Sequence, residues 1–378
     1  MIYTLRHFDT PLVRFSAEHG PEASIRILWT DEKHKELLPL DFHRQVDSER
    51  LEAWLRHRTI PRNRAYVNVI LASQGLSLNR PMDVIRLSKG LSLNDCFWVT
   101  EEGFDGTFLQ FNLYDNKFSR VLGEIAFTGY GSDNSSRISS SPEFTTNGML
   151  PKCWRRQNGV IRLYKGGTEG ASNTGNEPYS EYYASQIAET LGVNAVSYSL
   201  AKWKGRLCST CDLFTSKDLS FIPVGRLVAK GGMAAVKAYC ETLGKQFADA
   251  LNEMIVFDAV ICNTDRHFGN FGFLVDSHSN RIIAPAPLFD HGNALFSLAP
   301  MDAFESVAAM RKYTQTLLPR VYDDFINEAK AVVNHAQRNA LRKLLEFKFK
   351  RNPRYNLGAN RLAMVEQMVS ERAMAILE

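Results

Sequence analysis

The chain has 378 residues, of which 44% are hydrophobic, 23% charged and 11% aromatic, with a formal net charge of +4. The apolar fraction excludes disorder of the whole chain, no run of about 18 apolar residues provides a membrane-spanning helix, and roughly 100–200 residues per domain allows two domains or three small ones. The near-even charge neither demands nor excludes nucleic acid, and six irregularly spaced cysteines do not make a disulfide framework.

Short alternating runs over Ile2–Leu5, Leu12–Ser16 and Ser24–Trp29 predict strands. Met1–Thr10 lacks a basic stretch followed by an apolar core, so no signal peptide is expected there. Asp47–Gly75 predicts helices, with Leu51, Trp54 and Leu55 on one face. Gly129–Gly148 is rich in Ser, Thr, Asn and Gly, which is loop chemistry, and places a domain boundary near 130. Val160–Lys165 predicts a strand with Ile161, Leu163 and Lys165 on one side. A second glycine-rich loop, Gly166–Asn176, leads to a helix over Ser180–Leu191 with Ser180 as its N-cap. Val196–Leu200 and Leu207–Phe214 predict paired strands turned at Lys204-Gly205. Apolar residues from Val236 to Ile255 recur at three- and four-residue steps and predict one helix running into Cys262–Asn270. Phe271–Val275 and Arg281–Ile283 predict a hairpin about Asp276–Asn280. Two to four helices follow, including Val332–Phe347 and Arg361–Leu377. Strands first and helices later describe an α+β chain, a small sheet lobe before a helical lobe with a cleft between.

The chemistry concentrates in 263–292. Asp265 and Asn270 lie five residues apart in a glycine-containing loop at a helix end, and Asp290 follows the hairpin in Leu-Phe-Asp-His-Gly. Phosphoryl transfer needs these parts in this order: an Asp for the attacking hydroxyl, then an Asn and a second Asp for Mg²⁺, a cation that prefers oxygen. Singly, each residue reads as a turn former or a helix cap. Together they put polar groups among Val256, Ile261, Phe271, Phe273, Ile282 and Leu288, where they cost free energy unless paired or coordinated. Lys165 ends its strand on the inward parity, and Glu181 shares a helix stripe with Ala184, Ala188 and Leu191. The two suit a buried Lys–Glu pair at the nucleotide phosphates; the alternative is two solvated side chains.

No Walker A pattern is present. Thr145–Lys152 instead offers a phosphate cradle, with Asn147 in it and Gly148 permitting close approach. Asp212 and Phe214 suit a hydrogen bond and a stack on adenine. Cys208-Ser-Thr-Cys211 lacks the second pair a structural zinc site wants, so these read as plain cysteines of a reducing cytoplasm. Three alternatives stand beside a protein kinase: a small-molecule phosphotransferase, a catalytically silent binding module, and a metal hydrolase ligated by Asp265, His267, Asp290 and His291. The last leaves Asn270 and the Lys–Glu pair unexplained.

Asn263-Thr264-Asp265-Arg266-His267-x-x-Asn270, followed by Pro287-Leu288-Phe289-Asp290, resembles the HipA-like kinase C-terminal domain, which includes the kinase toxins of bacterial toxin–antitoxin pairs. Asn147–Lys152, the strand ending in Lys165, Ser180–Tyr183 and Asp212–Phe214 support the likeness, which covers roughly 140–320. The resemblance implies a bilobal protein-kinase-like fold and an ATP- and Mg²⁺-dependent serine/threonine protein kinase. It divides the chain into an α+β subdomain over 1–130, a lobe with nucleotide-binding loops over 131–224, and a helical lobe with the catalytic loop over 225–378. It makes Asp265 the catalytic Asp, Asn270 and Asp290 the Mg²⁺ ligands, Lys165 a phosphate ligand, and Asp212 and Phe214 neighbours of adenine. His267 braces the catalytic loop. It also implies a DNA-binding antitoxin partner; no helix-turn-helix pattern occurs here, so DNA contact would come through that partner. The family's self-phosphorylated Ser aligns with Thr145, beside Thr146 and downstream of Ser139–Ser141. The first 130 residues show no clear match to the family's usual N-terminal subdomain.

Overall fold

A computed structural model describes residues 1–18, 24–131, 141–170 and 173–378. The chain runs β1 (Ile2–His7), β2 (Thr10–Ala17), β3 (Ile25–Thr30), α1 (Ser48–Arg56), α2 (Val67–Ala72), α3 (Pro81–Ser88), β4 (Phe97–Glu101), α4 (Phe108–Phe111), α5 (Arg120–Thr128), β5 (Lys152–Gln157) and β6 (Val160–Gly166). It continues with α6 (Glu177–Leu191), β7 (Ser199–Trp203), β8 (Arg206–Asp212), β9 (Leu219–Pro223), α7 (Val224–Leu227), α8 (Gly232–Leu243), α9 (Lys245–Ile261), β10 (Gly272–Asp276) and β11 (Arg281–Pro285). It ends with α10 (Val307–Thr314), α11 (Phe325–Val332), α12 (His335–Arg342) and α13 (Ala359–Leu377). Two compact units result. One is Met1–Lys165 with Leu213–Ile222 and Leu274–Ile283; the other is Gly166–Asp212, Pro223–Phe273 and Ala284–Glu378.

In the first unit, β3-β2-β1-β4 form a sheet whose pairings are antiparallel. The three strands expected near the start are all present. Their alternation buries Tyr3, Leu5, Val13 and Phe15 against Leu51, Trp54 and Leu55 of α1 and Ile85 of α3. Asp47 caps α1, accepting the Arg50 N–H at 2.8 Å. A second cluster joins Leu93, Trp98, Phe108 and Leu113 to Ile161 of β6. The hairpin β5–β6 pairs Lys152 with Lys165 at one end and Gln157 with Val160 at the other. Asn158 and Gly159, with φ of 49° and 82°, make its turn, as a two-residue hairpin loop requires.

His7 is 3% exposed in this core. Burial pushes its pKa down from 6.5 to about 4, so the folded state holds a neutral ring. The stability tied to that ring is complete above about pH 6.5 and falls as pH drops towards about 4, by about 3 kcal/mol. Denaturant unfolding from pH 7 to 4 should show this limb, and a His7→Phe variant should lack it.

In the second unit, β7 and β8 pair antiparallel about Lys204 and Gly205, with φ of 49° and 80°, where the sequence placed the turn. Helix α6 begins at Glu177 rather than at Ser180. Pro178 starts its first turn, and Ser180 lies inside the helix, where its hydroxyl donates to the carbonyls of His291 (2.6 Å) and Ala294 (2.8 Å). The single helix expected from Val236 onward is two, because Gly244, at φ 121°, breaks it into α8 and α9. The helix expected over Val332–Phe347 is shorter. Residue 332 ends α11, and Asn334 opens α12 with a capping box to Gln337. Helix α9 packs against α11 and α13, burying Leu251, Met254, Phe325, Val369 and Ala373. Among the described residues no helix is long and apolar enough to cross a membrane. All six cysteines are buried and none is in a disulfide.

Candidate active site

The catalytic-loop segment hangs from the end of α9. Cys262 adopts a left-handed conformation (φ 53°) and closes the helix with its N–H on the Asp258 carbonyl. Asp258, fully buried in the last turn, takes both arms of Arg266: Nε to Oδ2 at 2.8 Å and Nη2 to Oδ1 at 2.9 Å. Asn263 Nδ2 donates to the same carboxylate at 3.1 Å. The guanidinium has further reach. Its Nη1 donates to the carbonyls of Asn270 (3.2 Å) and Phe289 (2.7 Å), and its Nη2 lies 3.1 Å from Nδ1 of the buried His291. One cation therefore ties the loop holding Asp265 and Asn270 to the segment holding Asp290.

Asp265 is half-buried. Its Oδ1 accepts from the Arg320 guanidinium and its Oδ2 from Asn293 Nδ2 at 3.3 Å. Asn293 also receives the Thr264 N–H on its carbonyl at 3.2 Å. Asn270 is buried; its amide nitrogen donates to the Asp265 carbonyl at 3.4 Å, a bond that does not use the amide oxygen. His267 Nδ1 accepts the Gly269 N–H at 3.0 Å, and burial pushes its pKa down, which keeps the ring neutral.

Asp290 has φ of 60°, a backbone state that costs a non-glycine residue about 1–3 kcal/mol unless its surroundings impose it. They do: Val196 and Leu288 bond at 2.8 Å, Leu288 and Asn194 at 2.9 Å, and the Asp290 N–H donates to the Tyr198 hydroxyl at 3.1 Å. Tyr198 is itself buried; burial, and then the charges of Glu181 and Asp290 among others, hold its phenol well above the usual range. Glu181 is buried on α6 and accepts from the Ser209 hydroxyl. Within the second unit, Arg266 joins the loop of Asp265 and Asn270 to the segment of Asp290, Tyr198 bonds Asp290, and Ser180, next to Glu181 on α6, bonds the carbonyls of His291 and Ala294.

The glycine loop belongs to the first unit. Gly148 has φ of 93°, and a Cβ there would lie 2.2 Å from the Lys152 ammonium, which instead donates to the Asn147 carbonyl at 3.0 Å. Thr145 is buried and donates to the Leu91 carbonyl at 2.8 Å. Thr146 donates to the Pro142 carbonyl (2.6 Å) and accepts from Trp154 Nε1 (3.1 Å). Ser139 and Ser140, and Ala171 and Ser172 of the second glycine-rich loop, lie outside the described residues. Lys165 is buried opposite Lys152. Asp212 is exposed at the end of β8 in the second unit. Phe214 is in the first, its ring edge-on to Phe221 at 5.6 Å.

Sequence reasoning passed over Asp258, Arg266, Tyr198, Asn293 and Arg320, and in the first unit Arg64 and Glu143. A signal existed for one: Asp258 interrupts the apolar run of α9, and a carboxylate there needs a partner.

No family model matches the chain. Part of it is 29% identical over 140 residues to the serine/threonine-protein kinase CtkA of Helicobacter pylori, covering 33% of this chain and 42% of that protein. The chain therefore spans less than half the length of this curated relative. The crystal structure of the H. pylori proinflammatory kinase CtkA matches at a TM-score of 0.48 with 18% identity, covering 60% of this chain and 91% of the other. A chain of the Shewanella oneidensis MR-1 toxin–antitoxin complex of HipA, HipB and operator DNA matches at 0.56 with 11% identity, covering 98% and 96%. This mixed α/β fold is that of the HipA structure, and the sequence match to a kinase bears out the resemblance to HipA-like serine/threonine kinases.

Proposed function

We propose that the chain is an ATP- and Mg²⁺-dependent serine/threonine protein kinase of HipA type. The observation that carries this reading is the reach of Arg266, which holds Asn270 and Phe289 by their carbonyls and so sets Asp265, Asn270 and Asp290 before any ligand binds. Asp265 takes the proton of the attacking hydroxyl. Arg320 covers one of its oxygens, but that ion pair is half-exposed, with side-chain exposures of 55% and 31%, and yields easily to a substrate. His267, neutral, braces the loop.

Among the described residues no group of three or more His, Cys, Asp or Glu is placed to hold a metal. Mg²⁺ fits such a sparse set, because it is held by one or two protein oxygens and completes its shell with phosphates and water. Asn270 and Asp290 are those ligands, and the bound ion would neutralise phosphate charge. Lys165 and the backbone at Asn147 and Gly148 hold the phosphates. Glu181, Asp212 and Phe214 are assigned to nucleotide binding on their type and position in the sequence. We assign the nucleotide loops to 131–224, the catalytic loop to 225–378, and leave 1–130 as an α+β subdomain. A DNA-binding antitoxin is the partner this family implies, and cysteines kept as buried thiols suit a cytoplasmic protein.

Calorimetric titration with an ATP analogue tests the assignment. Binding should require Mg²⁺ and should weaken at least about tenfold, or ~1.4 kcal/mol, in Asp290→Ala. Equal binding with and without Mg²⁺ by wild type and variant would sink the metal site.

A further inference from the structure

We propose that Arg64, between α1 and α2 in the subdomain without an assigned role, is a positioning residue that sets the glycine loop for phosphate. This rests on the reading of that loop as the nucleotide loop. The Arg64 side chain is fully buried. Its Nη1 donates to the carbonyls of Glu143 (3.0 Å) and Thr146 (2.8 Å), and its Nη2 donates to the Glu143 carboxylate (2.6 Å) and the Lys152 carbonyl (2.9 Å). The next residue, Ala65, donates its N–H to the Met149 carbonyl at 2.8 Å. Glu143 in turn accepts the Trp154 N–H at 2.9 Å. The loop is therefore gripped before, within and after its glycine.

The consequence follows from peptide geometry. In a trans peptide the C=O and the following N–H point in opposite directions, and no peptide here is cis. Turning the Thr146 carbonyl onto Arg64 turns the Asn147 N–H away from it. Turning the Met149 carbonyl onto Ala65 does the same for the Leu150 N–H. Lys152, on the Asn147 carbonyl, likewise sends the Gly148 N–H to the other side of its peptide. The successive N–H groups of Asn147 and Gly148, released in this way with that of Leu150 beyond them, suit an anion cradle. A buried Arg–Glu pair alone would only hold the fold together; Arg64 in addition spends three of its four bonds on loop carbonyls.

Arg64→Lys keeps the charge and loses the planar fork. The test reads two quantities on the full chain: affinity for the ATP analogue, and amide hydrogen exchange across 143–152. We expect affinity to fall at least about tenfold, exchange to rise in that loop alone, and KM for ATP to rise while KM for the acceptor stays put. Unchanged affinity overturns the proposal, even with faster exchange, because the contact is then structural only. Should Arg64→Lys not fold, Glu143→Gln, which keeps the acceptor for Trp154, is read the same way. If wild type binds no nucleotide, the kinase reading fails, and exchange alone decides whether Arg64 holds the loop: unchanged exchange overturns that too.

Discussion

Asp265→Asn should lower phosphoryl transfer at least about 100-fold, the lower bound for losing a general base, with little loss of stability. Asparagine has the same shape and cannot take a proton at neutral pH. The groups it would disturb are Arg320 and Asn293, and the Asp265–Arg320 pair is half-exposed, which limits the stability change to about 1 kcal/mol. Labelled ATP, with mass analysis of the products and a thermal melt of the variant, reads both. Full transfer by folded Asp265→Asn would remove Asp265 from the mechanism. Label that enters only a metabolite would make the chain a small-molecule phosphotransferase.

Arg266→Met should destabilise the fold by about 3–5 kcal/mol, because the fully buried Asp258 loses its counter-charge. The double variant Arg266→Met/Asp258→Leu should recover much of that loss, since an apolar pair of similar volume can replace a buried ion pair. Phosphoryl transfer should not recover with it. The carbonyls of Asn270 and Phe289 would still lack the donor that ties them together. Denaturant unfolding and a transfer assay on the three proteins separate the two effects. Recovered activity in the double variant would show that the guanidinium holds the fold and nothing more.

Much of the local structure was legible in advance. The alternation of Tyr3, Leu5 and Phe15 marks a sheet with one buried face, and Lys204-Gly205 marks a hairpin turn, because both signals are carried by neighbouring residues. The helix starts were less legible. Ser180 looks like a cap from its residue type, yet its hydroxyl serves carbonyls of residues 291 and 294, which no local rule can see. Gly244 breaks a periodicity that continues on both sides of it, so the apolar pattern alone predicts one helix where two exist.

The order Lys165, Asp265, Asn270, Asp290, and with it the kinase resemblance, was determined by the sequence itself: these residues are recognised by type and spacing. Which groups hold them was decided only in three dimensions. Arg320 meets Asp265 across 55 positions and Arg64 meets Glu143 across 79. An arginine far along the chain has no period or turn to betray its partner, and on the surface it would look the same. Burial and the fixed fork of the guanidinium make these contacts selective, and burial exists only once the chain has packed.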